Sequence, residues 1–207
     1  IRLSLVGSEM CIRDRLYMAI AASSRHERKN ARDAGESLLL HEKERATGPD
    51  KGSVGVARLK KTVAMVGMMG AGKTAVGTAL ARALGVPFLD SDEEIVRAAQ
   101  RSIAEIFERD GEPFFRARES EVLSRLLKGA PCVLSTGGGA YLSEANRAMI
   151  SDAGVAVWLR ADLDLLWNRV RHKTTRPLLR TANPRETLRA LYEARVPFYS
   201  LSDIVVD

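Results

Sequence analysis

Beyond Lys61 the chain switches repeatedly between two rhythms of apolar and polar positions, and that switching is the main fold signal in its 207 residues. Short apolar runs at 62–66, 87–89, 132–135, 155–159 and 203–206 read as strands. Between them lie stretches with helical spacing that begin at Lys73, Asp92, Ser102, Pro113, Ser143, Asp162 and Pro184. Ser102, followed three residues later by Glu105, has the form of a capping box. Strand and helix in alternation predict an α/β domain over 61–207, a parallel sheet covered by helices on both faces.

Residues 1–60 carry no sustained period and are rich in Arg, Lys, Glu, Ser and Gly, which predicts a mostly disordered basic leader. Within it, 37–45 reads as a short isolated helix of marginal stability. The opening, 4–15, resembles conceptual translation of sequencing-adapter read-through, so the start of the leader is expected to be artefactual. At the other end the chain stops on the fifth apolar run, which predicts a truncated domain with apolar surface exposed around Ile204 to Val206.

Composition narrows the function classes. Hydrophobic residues make up 45% and charged residues 28%, the balance of a globular protein, and no apolar stretch approaches the roughly 20 residues of a membrane span. The net charge of +6 is uneven: 1–60 hold twelve Lys and Arg against eight Asp and Glu, the remainder twenty against eighteen. A solvated basic tail explains most of that excess, and no nucleic-acid or membrane partner is expected. Cys11 and Cys132 match no metal-ligand spacing and suit a reducing cytoplasm, and His26, His41 and His172 are scattered.

The strongest chemical signal is Gly67-Met68-Met69-Gly70-Ala71-Gly72-Lys73-Thr74, between the first strand and the first helix. This is the spacing of a phosphate-binding P-loop, whose glycines let backbone N–H groups turn toward phosphate oxygens at a helix start. Lys73 is expected to reach the β- and γ-phosphates and Thr74 a phosphate-bound Mg²⁺. Asp90-Ser91-Asp92 follows the second strand; its carboxylates suit Mg²⁺ handling and an acceptor hydroxyl, or else Asp92 merely caps a helix over 93–100. Thr136-Gly137-Gly138-Gly139 follows the third strand and either admits a ligand close to the backbone or is a plain turn.

Arg116 and Glu119 lie three apart on a helix, so Glu119 could hold the guanidinium ready for a carboxylate, with a solvated surface pair as the alternative. Arg169 to Arg176 place several cations across a helix end and a loop, either a lid over phosphates or a charged solvated loop. Arg195 is the remaining cation of interest, near the end of the last long helix.

Taken in order, GxxGxGKT (67–74), DxD (Asp90, Asp92), FRxxE (115–119), TGGG (136–139), RPLL (176–179) and Arg195-x-Pro-x-Tyr199 resemble the motif set of shikimate kinases over 61–207. The resemblance implies a nucleoside-monophosphate-kinase-like fold with a five-stranded parallel sheet in order 2-3-1-4-5. It implies transfer of the ATP γ-phosphoryl group to the 3-hydroxyl of shikimate, in aromatic amino-acid biosynthesis, by a cytoplasmic monomer. Asp92, Arg116, Gly138 and Arg195 would then bind shikimate, and Asp92 would orient its hydroxyl. Gly70, Ala71, Gly72, Lys73, Thr74 and Ala75, with Arg169 and Arg176, would bind ATP. Thr74 and Asp90 would hold Mg²⁺, and Lys73, Arg169 and Arg176 would stabilise charge on the transferring group. Two other readings stay open on the residues alone: another small-molecule P-loop kinase, such as a gluconate kinase, and a nucleotide-dependent regulator with a nucleic-acid-binding tail.

Overall fold

Thr62–Val66 (β1) is buried at every position because it is the middle strand of the sheet, with a neighbour on each side and helices above and below. The computed structural model describes residues 40–41, 58–172 and 177–207. The other strands are Phe88–Asp90 (β2), Val133–Ser135 (β3), Gly154–Leu159 (β4) and Ile204–Val206 (β5). All five run parallel in the order β2-β3-β1-β4-β5. This is the 2-3-1-4-5 order that the resemblance implies.

Register aligns the carboxyl ends of the strands. Met65 and Asp90 both lie opposite Ser135, and Val66 lies opposite Trp158. From the adjacent strands β1 and β3 the chain departs in opposite directions, β1 toward β2 and β3 toward β4. Such a reversal opens a crevice at the carboxyl edge, and the two glycine-rich loops after β1 and β3 meet there.

The helices are Lys73–Leu84 (α1), Ser91–Ala99 (α2), Ile103–Leu127 (α3), Glu144–Ala153 (α4), Leu163–Val170 (α5) and Pro184–Tyr199 (α6). Six of the seven expected helix starts fall within a residue of these beginnings; the seventh, Pro113, falls inside α3. That helix is broken at Gly111 (φ 81°, ψ 170°), a left-handed position that glycine tolerates, and Pro113 follows where a helix start accepts a residue without an N–H. The capping box forms: Glu105 N donates to Ser102 Oγ at 3.2 Å, and Ser102 N donates to Glu105 Oε2 at 2.7 Å.

Three expectations are corrected. Asp90, not Asp92, caps α2: its extended backbone precedes the helix and its Oδ1 accepts from Asp92 N at 3.0 Å. Leu40–His41, inside the expected 37–45 helix, is a strand segment paired antiparallel with Arg58–Leu59. Ile204 and Val206 do not form exposed apolar surface: both join the main core cluster, and Val205 packs against it. The remaining leader positions expected to be disordered lie outside the described residues.

The core is continuous through the sheet and its flanking helices. A smaller cluster of Ile95, Ile106, Phe115 and Val122 joins α2 to both arms of α3, forming an apolar base beneath one end of the crevice.

Candidate active site

At the phosphate end, Gly70 (φ 83°) and Gly72 (φ 99°) take left-handed conformations that let the loop turn into α1. Lys73 Nζ folds back over this loop and donates to the carbonyls of Gly67 (2.8 Å) and Met68 (3.0 Å). Arg169, at the end of α5, reaches across and donates through Nη1 to Gly70 O at 3.1 Å. These groups border a cleft of about 500 Å³ that also takes in Thr74, Ala75, Asp90 and Thr136. Arg176, expected here as a lid cation, lies outside the described residues.

The loop after β3 is tied down at its start. Thr136 donates to Met65 O through both its backbone N (3.1 Å) and its hydroxyl (3.0 Å). Gly137 N donates to Ser91 Oγ at 3.1 Å. The turn is therefore held against β1 and α2, and its glycines are needed for space. A Cβ at Gly137 would lie 2.6 Å from Asp92 Oδ1 and 2.7 Å from Glu119 Oε1, and one at Gly139 would run into the Arg116 guanidinium.

A second cleft, of about 540 Å³, opens beside this turn. Its polar wall is Asp92, Arg116, Glu119 and Arg195, and its apolar wall includes Val96, Phe107, Phe115 and Leu178. The burial of Glu119, 2% exposed at its side chain, is the reason Arg116 is held so firmly: Nη1 donates to Glu119 Oε2 at 2.7 Å. Burial raises the Glu119 carboxyl above its usual range, and the charge of Arg116 pulls it back. Burial likewise works against the charged form of Arg116, but Glu119 and Glu112 outweigh it and the guanidinium titrates above its ordinary value.

Arg195 is buried on α6 and donates through Nη1 to Gly138 O at 3.4 Å. Tyr199, one turn later, donates to the same carbonyl at 2.5 Å, and burial pushes its hydroxyl pKa up. Met69, Asp92 and Gly138 line both clefts, so the two open onto each other at these residues.

The described candidates thus converge: Lys73, Thr74, Asp90 and Arg169 at the phosphate end, Arg116 and Arg195 at the other, and Asp92 and Gly138 between. The sequence reading did not single out Ser91 or Glu112. Glu112 was findable, being four residues before Arg116 on a helix. Ser91 carries no such signal.

A pocket with two arginines joined to a P-loop cleft is suited to holding a small anion beside a nucleotide's phosphates. The family model for shikimate kinase matches residues 69–207. The chain belongs to the shikimate kinase family. A shikimate kinase of Cereibacter sphaeroides is 75% identical over 152 residues, 73% of this chain and 76% of that protein. One of Ruegeria pomeroyi is 76% identical over 152 residues, 73% of this chain and 78% of that protein. Among solved structures, a shikimate kinase from Acinetobacter baumannii in complex with shikimate superposes with a TM-score of 0.69 at 41% identity, covering 71% of this chain and 83% of that one. As a member of the shikimate kinase family the chain is a phosphotransferase, which sets aside the regulator reading.

Proposed function

We propose that this chain transfers the γ-phosphoryl group of ATP to the 3-hydroxyl of shikimate, giving shikimate 3-phosphate and ADP, and that residues 61–207 carry the activity. The observation that carries the reading is the junction of the two clefts at Asp92, where a phosphate-binding loop meets a pocket with two arginines.

In this reading Arg116 and Arg195 grip the acceptor carboxylate, and the Gly137-Gly138 turn lets the ring approach the backbone. Asp92 accepts a hydrogen bond from the attacking hydroxyl and takes its proton as the new oxygen–phosphorus bond forms. The bond to the β-phosphate oxygen breaks, and ADP leaves with that electron pair. Lys73 exchanges its loop carbonyls for phosphate oxygens. With Arg169, and with Arg176 by family resemblance, it offsets the charge that spreads over the transferring group.

Thr74 and Asp90 fit Mg²⁺: both line the phosphate cleft and offer hydroxyl and carboxylate oxygens, the hard donors this ion takes. When bound, Mg²⁺ neutralises phosphate charge and fixes the polyphosphate conformation.

No described helix is long and apolar enough to cross a membrane. We place the enzyme in the cytoplasm, where the buried free thiol of Cys132 would stay reduced. We also expect a monomer to suffice, since Lys73, Asp92, Arg116 and Arg195 of a single chain already meet at the two joined clefts. The test is ADP release from Mg²⁺-ATP with shikimate and gluconate offered separately. Release with shikimate is expected; release with gluconate alone would overturn the acceptor assignment.

A further inference from the structure

Arg116 is held on two edges by carboxylates of very different character. Glu119 takes Nη1 at 2.7 Å and is 2% exposed at its side chain. Glu112 takes the other edge with a single oxygen, Oε1, which accepts from Nε at 3.2 Å and Nη2 at 3.0 Å, and its side chain is 56% exposed. The Nε–Nη2 edge is one of the two that a carboxylate can grip with two parallel hydrogen bonds.

Charge makes this contact informative. Counted as ions, the acceptor cleft and the groups paired with its lining bring together Arg116, Arg195 and Arg180 against Asp92, Glu119, Glu112 and Glu108, the last paired with Arg180 at 3.8 Å. Among the described residues of this set, carboxylates already exceed guanidinium groups by one before an anionic acceptor arrives. A second excess negative charge in a half-buried cleft is unfavourable unless one resident carboxylate leaves. Glu119 is sealed in. Glu112 stands one residue beyond the Gly111 break, at the solvent side, and an exposed ion pair parts at little cost.

We propose that Glu112 is an exchangeable counter-ion, which occupies the Nε–Nη2 edge of Arg116 in the empty cleft and gives it up when the acceptor carboxylate binds. Glu119 stays as the fixed brace. The inference rests on the shikimate-kinase reading of the cleft, since it needs an acceptor bearing a carboxylate. It assigns Glu112 a role in specificity: an anion enters only if it holds Arg116 better than Glu112 does, so weakly held anions are turned away.

The alternative is that Glu112 only stabilises its helix, as a first-turn acid and an i,i+4 partner. Steady-state kinetics on Glu112→Gln and Glu112→Ala separate the two. Removing a competing charge should lower the KM for shikimate by about two- to fivefold, the worth of an exposed ion pair, while kcat changes much less. Loss of a purely structural acid would lower the melting temperature and leave KM unchanged or raised. An unchanged or higher KM in folded, active variants overturns the proposal. Absence of shikimate-dependent ADP release by the unmutated chain would instead overturn the function on which it rests, and the proposal with it.

Discussion

Gly137 donates its backbone amide to the hydroxyl of Ser91 at 3.1 Å, which fastens the glycine turn after β3 to the first residue of α2. Ser91 is almost wholly buried, and its neighbours in sequence are the two aspartates proposed to hold metal and acceptor. The bond therefore sets the distance between Asp92 and the turn against which the acceptor would lie. Ser91→Ala should leave a buried N–H without its partner and destabilise the fold by about 1–3 kcal/mol. Turnover should fall with it, because Asp92 is no longer indexed to Gly137. Denaturant unfolding and kcat measured on the same preparation check both; unchanged values for each would remove Ser91 from this role.

Asp92→Asn keeps the side chain's size and removes its basicity. Since the cap of α2 belongs to Asp90, the fold should survive, and the loss should be in turnover, by at least the ~10²-fold expected for losing a positioned base. Melting curves and kcat decide it, and near-normal turnover in the folded variant would exclude Asp92 as the base.

Arg116→Lys retains a positive charge but cannot hold Glu119 on one edge and an incoming carboxylate on another, since an ammonium lacks the planar fork. Shikimate binding should weaken by tenfold or more, on the order of the 1.5–3 kcal/mol of a charged hydrogen bond. ATP binding, on the far side of Asp92, should change little. Separate titrations of the two ligands would contradict the assignment if both weakened alike.

Glu119 gives a pH prediction whose sign runs against its ion pair. Burial raises its carboxyl above the ordinary carboxylate value in the folded state, even with Arg116 beside it. Between the unfolded and folded values the folded protein thus binds more protons than the unfolded chain, so this residue's contribution to stability falls as pH rises through that window. Glu119→Gln has no carboxyl to titrate. The wild type's stability relative to the variant should shrink as pH is raised from about 4 through that window, and a gap that widens instead would mean the folded value is lowered.

Much of this arrangement was legible in the sequence because it rests on local rules. All five strands and the glycine–lysine spacing of the phosphate loop follow from period and spacing alone, and the capping box at Ser102 was read to the residue. What escaped depends on contacts between distant segments. Nothing in Asp90-Ser91-Asp92 says which aspartate caps the helix, because both are good caps and only the backbone angle decides. Ser91 reads as a spacer until Gly137, 46 residues away, is brought against it. The pairing of Leu40–His41 with Arg58–Leu59 is too short to impose a period. Tyr199 was visible only as a motif letter, and its bond to Gly138 O needs α6 to lie across the turn.

The corner at Gly111 has a consequence for how such a protein can diversify. Phe107 and Phe115 are eight residues apart, about 12 Å along an unbroken helix, yet their ring centroids lie 4.7 Å apart because α3 is kinked at Gly111. The far wall of the acceptor cleft is thus an elbow attached to the sheet through its second arm, while the phosphate loop belongs to the sheet itself. Lengthening or shortening the first arm would recut the acceptor cleft without disturbing the loop that holds the donor. The two halves of the reaction are in this sense separately inheritable, and acceptor choice is the half that is free to drift.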